Sequence, residues 1–335
     1  MKKSLAILII MVVYGCGNPD INTPLFEHPD LTGPKPWTNE TFEKTVDDFT
    51  FAFISDLTGD ERPGIFNVAV AQLNRLDPTF VVCVGDLIEG GTEDTLELTK
   101  QWDSFDARVG KLNMPFFYLG GNHDLTNTVM REFWQHRYGA DYYYFVYGKV
   151  LFLMINSEDM DKERLHEIDL ARIEAYKIIR GEVEGKFEDT EYAHMLESKT
   201  GAMSEAQLNY FEQVLTEHQN VRWTFVVMHK PLWKRDDDKG LTRLEEVLAN
   251  RPYTVINGHE HSFSHRQRKK RDYLILGTTG GFQYKDDSMS YDHISLIRMA
   301  KDKPVVTHIR MDGIMDETGK IPLGGDTLSF QASKH

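Results

Sequence analysis

The chain has 335 residues, 41% of them hydrophobic and 11% aromatic, which is enough apolar side chain to bury a sizeable core and too much for a disordered segment. Its formal charge of −14 becomes −16 if Lys2 and Lys3 leave with an N-terminal signal, since 36 basic residues then face 52 acidic ones. A surface of that sign repels nucleic acid and anionic lipid at long range, so no nucleic-acid partner is expected.

Lys2 and Lys3 precede LAILIIMVV, residues 5–13, an apolar run well short of the about 20 residues that a spanning helix needs. It ends in small residues around Cys16, as a secretory signal does. The stretch VYGC, 13–16, resembles a bacterial lipobox, which implies cleavage before Cys16 and lipid on its thiol. The expectation is an exported bacterial lipoprotein with signal peptide 1–15, anchored to a membrane through Cys16 on the periplasmic or cell-surface side. Cys83, within FVVCV, reads as a buried small hydrophobe. Prolines 19, 24, 29, 34 and 36 make 16–47 an expected extended tether. The globular domain is expected over 48–312, with a tail at 313–335.

Apolar segments then alternate with amphipathic ones. FTFAFIS (49–55) precedes helical spacing in IFNVAVAQLNRL (65–76), TFVVCV (79–84) precedes a long pattern through Leu96, Trp102, Phe105, Val109 and Leu112, and PFFYL (115–119) precedes VMREFWQHRY. This is a βαβ series. Tyr142 to Ile155 reads as a hairpin turning at Gly148 and Lys149, and SEAQ (204–207) has capping-box spacing before a helix that leads to RWTFVVM (222–228). After YTVIN (253–257) the pattern is mostly strands to about Met311, with RQRKKR (266–271) as a solvated hairpin tip. Residues 157–202, charged and helix-leaning, read as a solvated helical insertion rather than a lid.

The apolar strands end, in chain order, at Asp56, at Gly85-Asp86, at Gly121-Asn122-His123-Asp124, at His229 and at Gly258-His259-Glu260-His261. Each has a dull explanation alone: a cap, a turn, a core imidazole. Five strands ending in metal-ligand residue types point instead to convergence, because ligands of open α/β sheets collect beyond the carboxyl ends of strands.

In this order SDLT, VGDL, GGNHD, MHKP and NGHEH resemble the motifs of the calcineurin-like metallophosphoesterases, from about residue 49 to 299. The resemblance implies an α/β fold, the four-layer α/β/β/α sandwich of two mixed sheets, and hydrolysis of a phosphate ester by two divalent or transition metal ions (Mn, Fe, Zn or Mg). It implies that one metal takes Asp86, Asn122, His229 and His259, and the other Asp56, Asp86 and His261, with Asp86 bridging. Such a pair about 3.5–4 Å apart lowers the pKa of a shared water and clamps a phosphate. His123 matches the residue that hydrogen-bonds the phosphoryl oxygen or protonates the leaving group, with Asp124 orienting its imidazole. The expected substrate is a small phosphate ester, a monoester or a diester, the cyclic-nucleotide type included.

The first element departs from the pattern, since Thr58 stands where the family has histidine. Glu89, three residues after Asp86, is the expected substitute ligand; a water held by Thr58 is the other way to complete that site. The family's Ser/Thr protein phosphatases carry an Arg soon after Gly-Asp, which GDLIEGG lacks, and purple acid phosphatases carry tyrosine at the offset of Glu89. The loss of the histidine also admits a non-catalytic binding lipoprotein with an impaired metal site. LGTTGGF (276–282) is either a source of backbone N–H groups near the metals or a strand-end loop that needs glycine torsions.

Overall fold

A computed structural model describes residues 25–42, 48–235, 239–301 and 303–322. Cys16 and the expected signal peptide lie outside them. In chain order the elements are β1 (Phe26–Glu27), β2 (Phe49–Ile54), α1 (Ile65–Leu76), β3 (Val81–Cys83), α2 (Thr95–Val109), β4 (Phe116–Phe117), α3 (Thr128–Tyr138), β5 (Tyr143–Tyr147) and β6 (Val150–Ile155). Next come α4 (Lys162–Ile179), α5 (Glu191–His194), α6 (Glu205–Glu217), β7 (Trp223–Met228), α7 (Lys239–Leu248), β8 (Tyr253–Asn257), β9 (Ser264–Arg268), β10 (Arg271–Ile275), β11 (His293–Met299) and β12 (Pro304–Arg310).

The strands form two mixed sheets, ordered β12-β11-β2-β3-β4 and β1-β5-β6-β7-β8-β10-β9. Three apolar layers make the sandwich. Phe51, Phe53, Phe80, Phe145, Phe152 and Phe225 fill the space between the sheets, while Ala52, Ile54, Val81 and Cys83 pack outward on α1, α2 and α3. On the other side Leu151, Leu153, Val226 and Met228 pack on α6 and α7. Because both faces of β2 and β6 are covered, their sequences run apolar without alternation. The middle layer is held by ring stacking, with Phe152 at 4.4 Å from Phe145 and 5.3 Å from Phe225 between centroids. This is the α/β/β/α architecture expected from the resemblance.

Several local expectations hold. The hairpin turns at Gly148-Lys149, both left-handed; Ser204 caps α6 by accepting from Gln207 N; and Lys269 and Lys270 form the tip between β9 and β10. Two do not. Residues 25–42 are not a free spacer: β1 pairs antiparallel with β5, Trp37 is buried, and Pro36 and Thr38 hydrogen-bond along β4. Phe26, Trp37 and Phe42 drive this docking, since together they cap the aromatic layer.

The second concerns residues 157–202. Although their outer face and residues 180–190 are largely exposed, they build their own small core from Ile168, Ala171, Ala175 and Tyr192, and Ser198 and Tyr176 reach His259 and His123 at the strand ends. The buried Lys230 fastens them by donating to the Glu158 carboxylate at 2.9 Å and to the Glu197 carbonyl at 2.8 Å. Among the described residues no helix is long and apolar enough to cross a membrane.

Candidate metal centre

Both sheets deliver their parallel strands to one place. The loops after β2 and β3 are joined where Asp56 N donates to Gly85 O at 3.2 Å and Leu57 N to Asp86 O at 3.0 Å, and those after β7 and β8 where Gly258 N donates to His229 O at 3.0 Å. Close approach dictates the glycines here. A Cβ on Gly85, whose φ is 95°, would lie 2.6 Å from His229 Nδ1, and one on Gly258 would overlap Ser55 Oγ. Asp56, Asp86, His259 and His261 themselves hold left-handed backbone, at φ of 52°, 57°, 75° and 53°. Each such residue costs on the order of 1 kcal/mol or more, a strain that concentrates at functional sites.

Asp56, Asp86, His229, His259 and His261 converge. Ligand atoms of Asp86, His229 and His259 lie within 4.8 Å of one another, and so do those of Asp56, Asp86 and His261, with Asp86 common to both sets. Each imidazole is oriented by its far nitrogen. His229 Nδ1 donates to Val84 O at 2.8 Å, His261 Nδ1 to Phe282 O at 2.7 Å and His259 Nε2 to Ser198 O at 3.0 Å. The remaining nitrogens thus carry lone pairs toward the carboxylates, the arrangement that metal-binding histidines use. Asn122 Oδ1 is buried without a hydrogen-bond partner, and so is His229 Nε2, which sits 3.1 Å from Asp86 Oδ2 but off hydrogen-bond alignment.

Electrostatics agrees with the donor set. Burial works against the Asp86 carboxylate, but the His229 and His123 imidazoles overcome it and hold the group well below the ordinary carboxylate range. Burial likewise opposes charge on His229, yet Asp86 lifts it to about 9, and Asp56 lifts His261 in the same way. Two cations among these groups fit the orphaned amide oxygen, the lone pairs and the charge at once.

The other expected residues are placed differently. His123 follows Asn122 on the loop after β4; its N donates to Asp86 Oδ1 at 2.9 Å and its Nδ1 to Glu89 O at 2.8 Å. Asp124 does not orient that ring. Its carboxylate accepts from Leu87 N, Ile88 N and Gly121 N, tying the Asp86 loop to the Asn122 loop, and burial together with Asp86 pushes it up to about 8. Nor does the structure bring Glu89 to the Asp56 cluster. Its carboxylate accepts from Asp60 N at 3.3 Å and Glu61 N at 2.8 Å, so two backbone donors of the DLTGD loop claim it. The LGTTGGF loop braces the site from behind: Gly281 N donates to Asp56 O at 3.0 Å and Ser55 N to Thr279 Oγ1 at 3.3 Å.

Sequence reasoning missed Arg172, Tyr176, Ser198 and Lys230. Arg172 donates to the Asn122 carbonyl and to Thr126 Oγ1, and Tyr176 Oη lies 3.4 Å from His123 Nε2. Their spacing on α4 says only that both share a helix face.

The profile of a family described as calcineurin-like phosphoesterase matches residues 49–263. A serine/threonine-protein phosphatase CPPED1 of Mus musculus is 37% identical over 232 residues, 63% of each chain, and that of Homo sapiens is 36% identical over 103 residues, 27% of this chain and 31% of the human one. The matches span from about a third to under two thirds of the length of the curated relatives. Among solved structures, a dimetal phosphatase from Danio rerio aligns with a TM-score of 0.54 at 16% identity over 78% of this chain and 95% of its own. GAP50 of Plasmodium, described as the anchor in the inner membrane complex, aligns with a TM-score of 0.52 at 14% identity over 86% and 90%.

Proposed function

We propose that this chain, which belongs to the calcineurin-like phosphoesterase family, hydrolyses small phosphate esters, monoesters or diesters, with two metal ions. The observation that carries the reading is the pair of ligand clusters sharing Asp86. Asp86, Asn122, His229 and His259 would hold one ion, and Asp56, Asp86 and His261 the other. When bound, such a pair supplies a deprotonated water and a clamp for the phosphate oxygens. His123 stands beside the clusters as the group that gives a proton to the leaving oxygen as its bond to phosphorus breaks.

The mammalian relatives carry the name of protein phosphatases, which makes phosphoserine peptides the rival substrate class. The small-ester reading rests on GDLIEGG, which lacks the arginine that the resemblance puts soon after Gly-Asp in the family's Ser/Thr protein phosphatases. A panel of p-nitrophenyl phosphate, its bis ester, cyclic nucleotides and a phosphoserine peptide, each with Mn, Fe, Zn or Mg, tests both. Chelator-sensitive turnover of the small esters supports the proposal, whereas turnover of the peptide alone overturns the substrate class.

Thr58 favours one second reading, a binding protein that keeps the fold without turnover, and GAP50 shares that fold while being described as an anchor. Two ions per chain together with hydrolysis in that panel would remove it. We also propose that the protein is an exported lipoprotein acting at a membrane surface, on the strength of the VYGC stretch. Cys16→Ser should release it from membranes and abolish fatty-acid labelling; retention of the variant on membranes would remove the proposal.

A further inference from the structure

The inserted segment touches the group that, on the phosphoesterase reading, serves the leaving oxygen. His123 is gripped at Nδ1 by the Glu89 carbonyl at 2.8 Å, which leaves Nε2 as the edge that can exchange a proton. Tyr176 Oη lies 3.4 Å from that Nε2. Tyr176 does not stand freely. Arg172, one helical turn earlier, lies over its ring at 4.8 Å and donates to its hydroxyl at 3.4 Å. Arg172 is in turn buried and bonded to Thr126 Oγ1 and to the carbonyl of Asn122, the residue before His123. A contact of 3.4 Å is long for a hydrogen bond, as catalytic contacts are before substrate tightens them.

From this geometry we infer that Tyr176 is a positioning residue for His123, and that the insertion is therefore a wall of the active site rather than an appendage. This role rests on the proposed phosphoesterase reading. A phenol hydroxyl both donates and accepts, so it can meet Nε2 whichever role that nitrogen takes, while the Glu89 carbonyl holds Nδ1. A ring fixed at both ends also spends less of the barrier on orientation.

The test is Tyr176→Phe, which keeps the ring and its contact with Arg172. With two ions retained and thermal stability unchanged, kcat should fall about tenfold on poor leaving groups such as alkyl phosphates, with KM little altered. The loss should shrink toward nothing on p-nitrophenyl phosphate, whose leaving oxygen needs no proton. In a His123→Ala background the same change should add no further loss. A loss equal for all leaving groups, or one that persists without His123, overturns the inference. In the metal-free protein, 15N spectra of the imidazole should show the His123 Nε2 resonance displaced by Tyr176→Phe. An unmoved resonance overturns the inference even if no substrate is turned over, and an inactive wild type with a displaced one overturns only the phosphoesterase reading.

Discussion

The Nε2 of His259 donates to the Ser198 carbonyl at 3.0 Å, so a ligand-type imidazole at the end of β8 takes its orientation from the inserted segment. Burial, with Lys230 and His229 nearby, holds that imidazole well below its ordinary value, so it is a neutral donor by default. Lone-pair direction is then set by the Ser198 contact.

Lys230 anchors this strut, since it binds the carbonyl of Glu197, the residue before Ser198, and pairs with Glu158 in the interior. Lys230→Met should cost about 3–5 kcal/mol in urea melts, because the Glu158 carboxylate is left buried without its partner. Changing Glu158→Gln as well should recover much of that stability. Neither form should recover the metal affinity of the His259 cluster, which should fall about tenfold once Ser198 is no longer held. Full affinity in the double variant would show that the strut does not govern the ligand.

A second expectation separates the two clusters. Asp86 belongs to both, whereas His229 belongs to one and His261 to the other. Asp86→Asn should therefore drop bound metal from two ions per chain to fewer than one. His229→Ala should leave about one, and His261→Ala about one, counted by elemental analysis after dialysis. Asp86→Asn with both ions still bound would remove Asp86 from its bridging role.

Stability should depend on pH through a group outside the two ligand clusters. His293 is buried among Phe263, Tyr291 and His308, and burial with the His308 imidazole lowers it to about 3. In the unfolded chain its value is about 6.5. Between those values the unfolded state binds the extra proton, so the contribution is fully present above about pH 6.5 and is lost as pH falls toward 3. The slope from this group is up to about 1.4 kcal/mol per pH unit. His293→Phe should flatten the melting profile between about pH 6 and 4 relative to wild type. Equal slopes in the two proteins would mean that the imidazole titrates in the folded state.

The parts of this protein legible in its sequence are those whose signal is local. FTFAFI and VLFLMI announce strands buried on both faces, and a carboxylate or histidine placed just past each run is visible without knowing which strand neighbours which. Residues 25–42 were illegible because their partner is β5, more than 100 residues away, and proline content masked three aromatic anchors. His123 illustrates the same limit at the site. Its orienting partner is a backbone carbonyl, Glu89 O, and any residue type offers one, while Asp124 next door turned to backbone donors that composition cannot reveal. Tyr176 and Arg172 share a helix face that looks like any amphipathic surface until α4 is docked.

Thr58 remains the departure with the sharpest consequence. Its hydroxyl is fully buried and makes no hydrogen bond of good geometry; the Glu89 carboxylate is close enough to be lowered by it but not aligned with it. An orphaned buried hydroxyl costs about 1–3 kcal/mol, so in chelator Thr58→Val, which keeps the shape, should raise stability by about 1 kcal/mol. With metal the sign should reverse. Among the His, Cys, Asp and Glu side chains of the described residues, Asp56, Asp86 and His261 form the cluster for the Asp56 ion, fewer than the four or more ligands such ions take, and a water held by the Thr58 hydroxyl would complete it. Thr58→Val should then weaken that ion alone, lowering the metal-dependent gain in melting temperature, whereas Glu89→Gln should leave it unchanged because its carboxylate is committed to Asp60 and Glu61. If Glu89→Gln strips the ion and Thr58→Val does not, the carboxylate swings inward on metal binding and the hydroxyl has no part in the site.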